Sequence, residues 1–216
     1  MKFDLRSNVP VRDVDALCAR FHAYGGGTRV STYSFGVYEC DALIAAYTWN
    51  PPAPGVGLSM CPEEPQAVLA LTRMVAVPRT ERALKHVSKP LIQQMKRELD
   101  RGRWPVLVTY SDASVGHNGY VYQCSGWTKS GARMVDVYQT SDGVRVSKYS
   151  NGKTDVSRYE RVGKAEITRW EHRVCPAGEE AEWMRRHGWA REKLNRVWRS
   201  GKPAFRIVRI NDRIIA

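Results

Sequence analysis

The chain has 216 residues, 43% of them hydrophobic, which is enough for one well-packed core with a small addition and argues against two full domains. Its 34 Lys and Arg against 22 Asp and Glu give a formal charge of +12, with a pI near 9.7. The excess is uneven, with 15 basic and 11 acidic side chains in residues 1–131 against 19 and 11 in residues 132–216, and it points to a polyanionic partner, nucleic acid first.

Val11 to Tyr24 repeats apolar residues at helical spacing (Val14, Leu17, Cys18, Phe21), carries Asp13 and Asp15 near its start and stops at Gly25-Gly26-Gly27, which predicts a first helix. Tyr33–Tyr38 and Ala42–Trp49 are β-rich runs divided by Glu39-Cys40-Asp41, a hairpin closed by the Pro-rich segment from Asn50. Val68–Val77 predicts a strand ended by Pro78. From Glu81 to Leu99, the residues Leu84, Val87, Leu91, Met95 and Leu99 trace a helical stripe, with a kink or late start predicted at Pro90. Val106-Leu107-Val108, between Pro105 and the polar run Ser111-Asp112-Ala113-Ser114, predicts a buried strand. Asp112 then sits at a strand's carboxyl end, where open α/β sheets place ligands. A helix carrying Tyr122 follows, and then Met134–Tyr138 as a short strand. Val144–Val162 reads as a basic hairpin turning at Asn151-Gly152, Glu179–Trp198 as a helix acidic at its start and basic at its end, and Phe205–Ile210 as an alternating last strand. The expected fold is α/β (α+β), a mixed central sheet flanked by helices. Its expected parts are a catalytic core over residues 1–140, a basic hairpin-plus-helix insertion over 141–200, and a final strand within 201–216 returning to the core sheet.

Cys18, Cys40, Cys61, Cys124 and Cys175 are odd in number and form no Cys-x-x-Cys pair, which fits a reduced cytosolic protein. They and the five histidines contain no ligand pair at zinc-finger spacing, so no metal site is expected. The N-terminus lacks an apolar signal core, and no apolar run approaches the roughly 20 residues of a membrane span. A soluble chain inside the cell is expected, with its oligomeric state open, a dimer included.

Tyr122 stands five residues before Trp127 in Tyr-Gln-Cys-Ser-Gly-Trp. This Tyr-x-x-x-Gly-aromatic spacing and the order of elements resemble the GNAT N-acyltransferases. The resemblance implies an acyl-CoA cofactor, acetyl-CoA or another, held by the strand–turn–helix of Leu71 to Leu91. Its pantetheine would run along Met74, Val75 and Val77, with its pyrophosphate on the helix N-terminus. It also implies that Tyr122 protonates the departing thiolate. The family's phosphate loop is glycine-rich, whereas Pro78-Arg-Thr-Glu-Arg-Ala-Leu-Lys-His86 has no glycine. The side chains of Arg79, Arg82 and Lys85 are therefore the candidate pyrophosphate ligands.

Within that class, Leu71-Thr-Arg-Met-Val75 and the string Ser-Asp-x-x-x-Gly-His-x-Gly-x-x-Tyr of residues 111–122 resemble the phage Mom proteins, over roughly residues 10–140. This resemblance implies conversion of the exocyclic amine of adenine in double-stranded DNA to a carbamoylmethylated form, in the host cytoplasm, which shields phage DNA from restriction. That amine is a poor nucleophile, because its lone pair is delocalised into the ring, so proton removal assists attack. Asp112 is the candidate base or amine orienter, Tyr122 the candidate donor to the leaving thiolate, and Arg73 a candidate to orient Asp112 or neutralise developing charge. An arginine beside Asp112 would lower its pKa and favour the orienting role.

A stacked base must leave the helix to react, and His22, Tyr24, Tyr47, Trp49 and His117 are candidates to stack on it or read its edge. Lys148, Lys153, Arg158, Arg161, Arg185 and Arg186 are candidates to follow the phosphates. Plainer roles fit the same residues: Asp112 as a helix cap, Tyr122 as a half-buried core residue, Arg73 in an ion pair, the basic hairpin and helix as solvated surface, and Trp183, Trp189 and Trp198 as core. Two other functions also remain, a GNAT acyltransferase acting on a protein or small amine and a DNA-binding relative without activity.

Overall fold

In a computed structural model, which describes residues 3–23, 31–78, 81–143, 145–146, 156–197 and 203–210, the helical spacing of Val14, Leu17 and Cys18 becomes α1 (Val11–Phe21), and these three are its buried residues. They pack with Val9, Ala46 and Val75 into one cluster. The chain divides into two compact units, one of residues 1–50, 71–96 and 108–172, the other of residues 51–70, 97–107 and 173–216.

The first unit is built on an antiparallel meander of β1 (Asp4–Ser7), β2 (Tyr33–Glu39) and β3 (Ala42–Asn50), with Leu5 opposite Val37 and Gly36 opposite Ala46. The two-residue turn Cys40-Asp41 has both φ angles positive, 47° and 63°, the backbone whose twist matches that of the flanking strands. There follow β4 (Val68–Ala76), α3 (Glu81–Glu98), β5 (Val106–Asp112), α4 (Tyr120–Cys124), β6 (Thr128–Gln139), β7 (Arg145–Val146) and β8 (Glu160–Arg173). The strand order is β1-β2-β3-β4-β5-β8-β6-β7, so β8 inserts between β5 and β6. Helix α3 starts at Glu81 and runs on through Pro90, which corrects the expected late start.

The expected hairpin over Val144–Val162 is also corrected. Both of its described flanks pair with β6, β7 on one side and β8 on the other, and Asn151-Gly152 lies outside the described residues. The physical reason is reach. Strands of 12 and 14 residues, β6 and β8, pair from Thr128↔Glu171 to Gln139↔Glu160, and this long ladder outweighs the local preference of a turn dipeptide.

The second unit holds α2 (Pro54–Met60), α5 (Glu180–Arg186) and a separate antiparallel ribbon of β9 (Trp189–Val197) and β10 (Pro203–Arg209). The expected helix Glu179–Trp198 therefore ends twelve residues early. Gly188, at φ 80°, stops it, and the alternating segment after it becomes a strand. That strand is the nearest partner available to β10, and a short loop costs less closure entropy than a return to the larger sheet. The expected return of the last strand to the core sheet is corrected accordingly. Among the described residues, no helix is long and apolar enough to cross a membrane.

Candidate active site

At the carboxyl end of β5 the backbone alternates, with Thr109 and Ser111 buried while Tyr110 is exposed and Asp112 half-buried. Alternation thus sends Thr109 and Ser111 to one face and Asp112 to the other. Each residue of the string after Asp112 has a local task. The Asp112 carboxylate Oδ1 accepts from Ser114 N at 2.8 Å and caps a 3-10 turn over Ala113–Val115. Gly116 closes that turn at φ 74°, and Asn118 Oδ1 accepts from Tyr120 N at 3.0 Å where α4 begins. Gly119, at φ 78°, lies so close under Trp170 that a Cβ would stand 2.4 Å from its ring. The indole Nε1–H of Trp170 donates to Ser111 Oγ at 2.9 Å and ties β8 to β5.

This framework holds Tyr122 among aromatic rings. His117 meets it edge-on at 5.2 Å between centroids, Trp127 lies at 5.8 Å and Trp170 at 6.3 Å. Trp49 and Trp127 are nearly parallel, 14° apart with centroids separated by 6.2 Å. Lys96 donates to Ser125 O at 2.9 Å and stands 5.6 Å from the Trp127 ring centre. Burial pushes the Tyr122 phenol up to about 12, opposed by its hydrogen bond with Thr109, and burial together with the nearby Tyr122 raises the Tyr47 phenol. Both hydroxyls are protonated at neutral pH.

A cationic and imidazole group meets these rings. Burial, helped by Arg73 and His117, holds the His22 imidazole down at about 4. Burial also lowers His117, against the pull of Asp112, which favours its charged form. The two imidazoles are therefore neutral at pH 7, and Arg73 carries the positive charge. Arg73 Nη1 donates to Thr72 O at 2.8 Å. Arg73 Nε, His117 Nε2, Trp49 Nε1 and Trp127 Nε1 are buried without a hydrogen-bond partner among the described residues. Unmet buried polar atoms cost about 1–3 kcal/mol each, and four of them in one neighbourhood make it the candidate site.

Of the residues chosen from sequence, His22, Tyr47, Trp49, Arg73, His117 and Tyr122 belong to this neighbourhood. Asp112 joins it through His117, whose backbone N also donates to Asp112 O at 3.1 Å. Arg73 is set beside Cys18 of α1 and His22, which follows that helix. The side chains of Val75 and Val77 pack with the α1 core, which leaves Met74, half-buried, as the open side chain of that run. Tyr24, Arg79, Lys148 and Lys153, and the side chains of Arg82 and Lys85, lie outside the described residues. Arg158 is exposed, while Arg161 faces Asp136 at 2.7 Å and both Arg185 and Arg186 face Glu182. Sequence reasoning missed Thr109 and Ser111, which strand alternation could have found. It left Trp127 without a role and also missed Trp170, which only the β5–β8 pairing brings in.

A model of the Mom protein family matches residues 7–187. No curated protein matches the chain. Among solved structures, the chain is similar to the ribosomal-protein-S18-alanine N-acetyltransferase from Escherichia coli, with 14% identity and a TM-score of 0.53 over 82% of this chain and 97% of that one. An IAA acetyltransferase from Bacillus cereus matches with 10% identity and a TM-score of 0.49, covering 80% of this chain and 100% of that one. A Bacillus subtilis acetyltransferase in complex with CoA also matches at 10% and 0.49, covering 81% and 100%. The fold is that of the GNAT acetyltransferases.

Proposed function

The chain belongs to the Mom protein family, and we propose that it transfers an acyl group to the exocyclic amine of adenine in double-stranded DNA, the N–C bond forming as the donor's C–S bond breaks, as the first step toward a carbamoylmethylated base that resists restriction and whose amide nitrogen comes from a separate amine donor. The observation that carries this reading is the set of unpartnered polar atoms on Arg73, His117, Trp49 and Trp127, set among aromatic rings. A planar base with donors and acceptors on its edge is the kind of ligand such a place suits.

His117 Nε2, neutral and unpaired, is the atom to take a proton from the amine as the nitrogen attacks. The Asp112 charge favours the imidazolium that forms, and its cap on Ser114 keeps the loop in place. Of the two roles open to Asp112, base or orienter, this reading takes the orienting one. The Tyr122 phenol, at about 12, does not give up its proton outright to a thiolate whose acid titrates near 8.5, taking cysteine as the guide. It stabilises that thiolate by hydrogen-bond donation. The Arg73 guanidinium steadies negative charge developing on a carbonyl oxygen.

A coenzyme A thioester fits the order of elements here, because β4 leads directly toward the N-terminus of the 18-residue helix α3, whose first amides have no partners within the helix. Such a thioester supplies an activated carbon and a thiolate leaving group. Met74 and the β4 backbone would hold its thioester arm, and Arg79, Arg82 and Lys85 its phosphates. Arg158, Arg161, Arg185 and Arg186 are proposed to contact DNA phosphates, weakening binding at high salt.

Plasmid DNA from expressing cells, hydrolysed to nucleosides and weighed by mass spectrometry, tests the reading. A heavier deoxyadenosine is expected. Unchanged nucleosides together with acetyl-CoA turnover on peptide or small amines would overturn it.

A further inference from the structure

The second unit contains a cavity of about 530 Å³ whose apolar walls are Ala181 and Met184 of α5, Ala190 of β9 and Ile207 of β10. Two of its lining residues bring unmet polar atoms. Glu64 is 4% exposed, and its Oε1 has no hydrogen-bond partner among the described residues. Trp189 Nε1 is likewise buried and unpartnered. Of the other charges of the lining, Glu182 pairs with Arg185 and Arg186, Arg191 makes a 3.2 Å hydrogen bond to Glu63 O and stands 4.0 Å over the Phe205 ring, and the Glu63 carboxylate adds a further negative charge. The lining thus brings an unmet acceptor on Glu64 and an unmet donor on Trp189 between apolar walls, in a volume suited to a small ring system.

We propose that this cavity is a second ligand site and that it takes an aminated nucleobase, adenine or cytosine. The exocyclic N–H donates to Glu64 Oε1, as amines of bases do to carboxylates, and a ring nitrogen accepts from Trp189 Nε1–H. A base carrying a carbonyl in place of the amine would set oxygen against oxygen at Glu64 and is excluded. The base comes either from a DNA strand or from a free nucleoside. The site lies in the unit that does not hold Tyr122 and His117, and it stands whether or not the transfer reaction proposed above is correct.

The test titrates the full chain with deoxyadenosine, deoxycytidine and thymidine, and with single-stranded oligonucleotides rich in each, by isothermal calorimetry. The wild type is compared with Glu64→Met and Trp189→Phe. Glu64 Oε1 has no hydrogen bond to lose, and a methionine of similar length fills its place with an apolar chain, so Glu64→Met is expected to fold, with a melting temperature close to that of the parent. The expected result is binding of an amino nucleoside or its oligonucleotide, weakened about tenfold or more in each variant, and no binding of thymidine at this site. Binding of the free nucleoside identifies a small-molecule source, and binding of the oligonucleotide alone identifies a strand. Equal affinities in all three proteins, or no binding of any amino nucleoside or strand, overturns the proposal. Neither outcome depends on whether adenine in plasmid DNA is modified.

Discussion

Two buried groups, one in each unit, are treated in opposite ways. In the second unit Glu180 is 2% exposed and fully answered. Its Oε1 meets Arg173 Nη1 at 2.6 Å, its Oε2 accepts from Gly178 N at 3.0 Å, and Arg173 Nη2 donates to Met60 O at 2.8 Å. In the first unit, Arg73, His117, Trp49 and Trp127 each bury an atom with no partner among the described residues. A satisfied buried pair fixes the fold, whereas unsatisfied atoms gathered beside aromatic rings are the ones the proposed function assigns to a ligand. Burial alone therefore does not separate structural from functional polar groups here; the bonding of their last atoms does.

If the contrast is right, substitutions in the two regions separate activity from stability. The largest effect is on activity. His117→Gln and Tyr122→Phe should each lower adenine modification about 10²–10⁴-fold, measured on hydrolysed DNA, with a melting temperature close to that of the parent. Retained modification, or a collapse of the fold, would break the distinction. Next, Arg173→Met leaves the Glu180 charge buried without its counter-charge, and should cost about 3–5 kcal/mol in urea unfolding. Adding Glu180→Leu should recover much of that loss, and a single variant as stable as the parent would mean the pair is not a staple.

Smaller effects sharpen the comparison. Gly119→Ala must both hold a positive φ and drive a methyl into Trp170, for a loss of about 1–3 kcal/mol. Gly116→Ala, with the same sign of φ but open space around it, should lose only about 1 kcal/mol. Equal losses would show that the Trp170 contact gives way freely. The smallest effect is a pH dependence. The folded chain holds His22 down at about 4 against an ordinary 6.5, so the unfolded chain binds more protons between those values. The stability this neutral imidazole contributes is complete above about 6.5 and is lost as the pH falls toward about 4. Urea midpoints at pH 7.5 and 5 should differ less in His22→Leu than in the parent.

Local chemistry made the first half of the chain readable. The apolar run Val106-Leu107-Val108 between Pro105 and polar residues became β5, with Asp112 as its last residue, and the helix with Tyr122 followed as expected. The apolar spacing of α1 and the two runs of the β2–β3 hairpin were equally plain. What failed depended on partners far away in sequence. β8 lies between β5 and β6, so Trp170 reaches Ser111 across 59 residues, and no local pattern announces that. The segment Glu179–Trp198 satisfied the charge preferences of a helix, but Gly188 takes a left-handed conformation that ends it and frees Trp189–Val197 to pair with β10. For Asp112 the relevant signal was present in the sequence. Period-two alternation separates it from Thr109 and Ser111 along β5, and His117, which feels the Asp112 charge and meets the Tyr122 ring, links the two.

The most direct measurement follows the indole N–H resonances of the protein by NMR as an adenine-containing DNA duplex is added. Trp170 and Trp183 already donate, to Ser111 Oγ and Arg101 O at 2.9 Å each, whereas Trp49 and Trp127 do not. The Trp49 and Trp127 signals should move downfield as their protons find acceptors, while those of Trp170 and Trp183 stay in place. Stationary Trp49 and Trp127 signals in a sample that binds the duplex would contradict the claim that these unmet atoms form the substrate site.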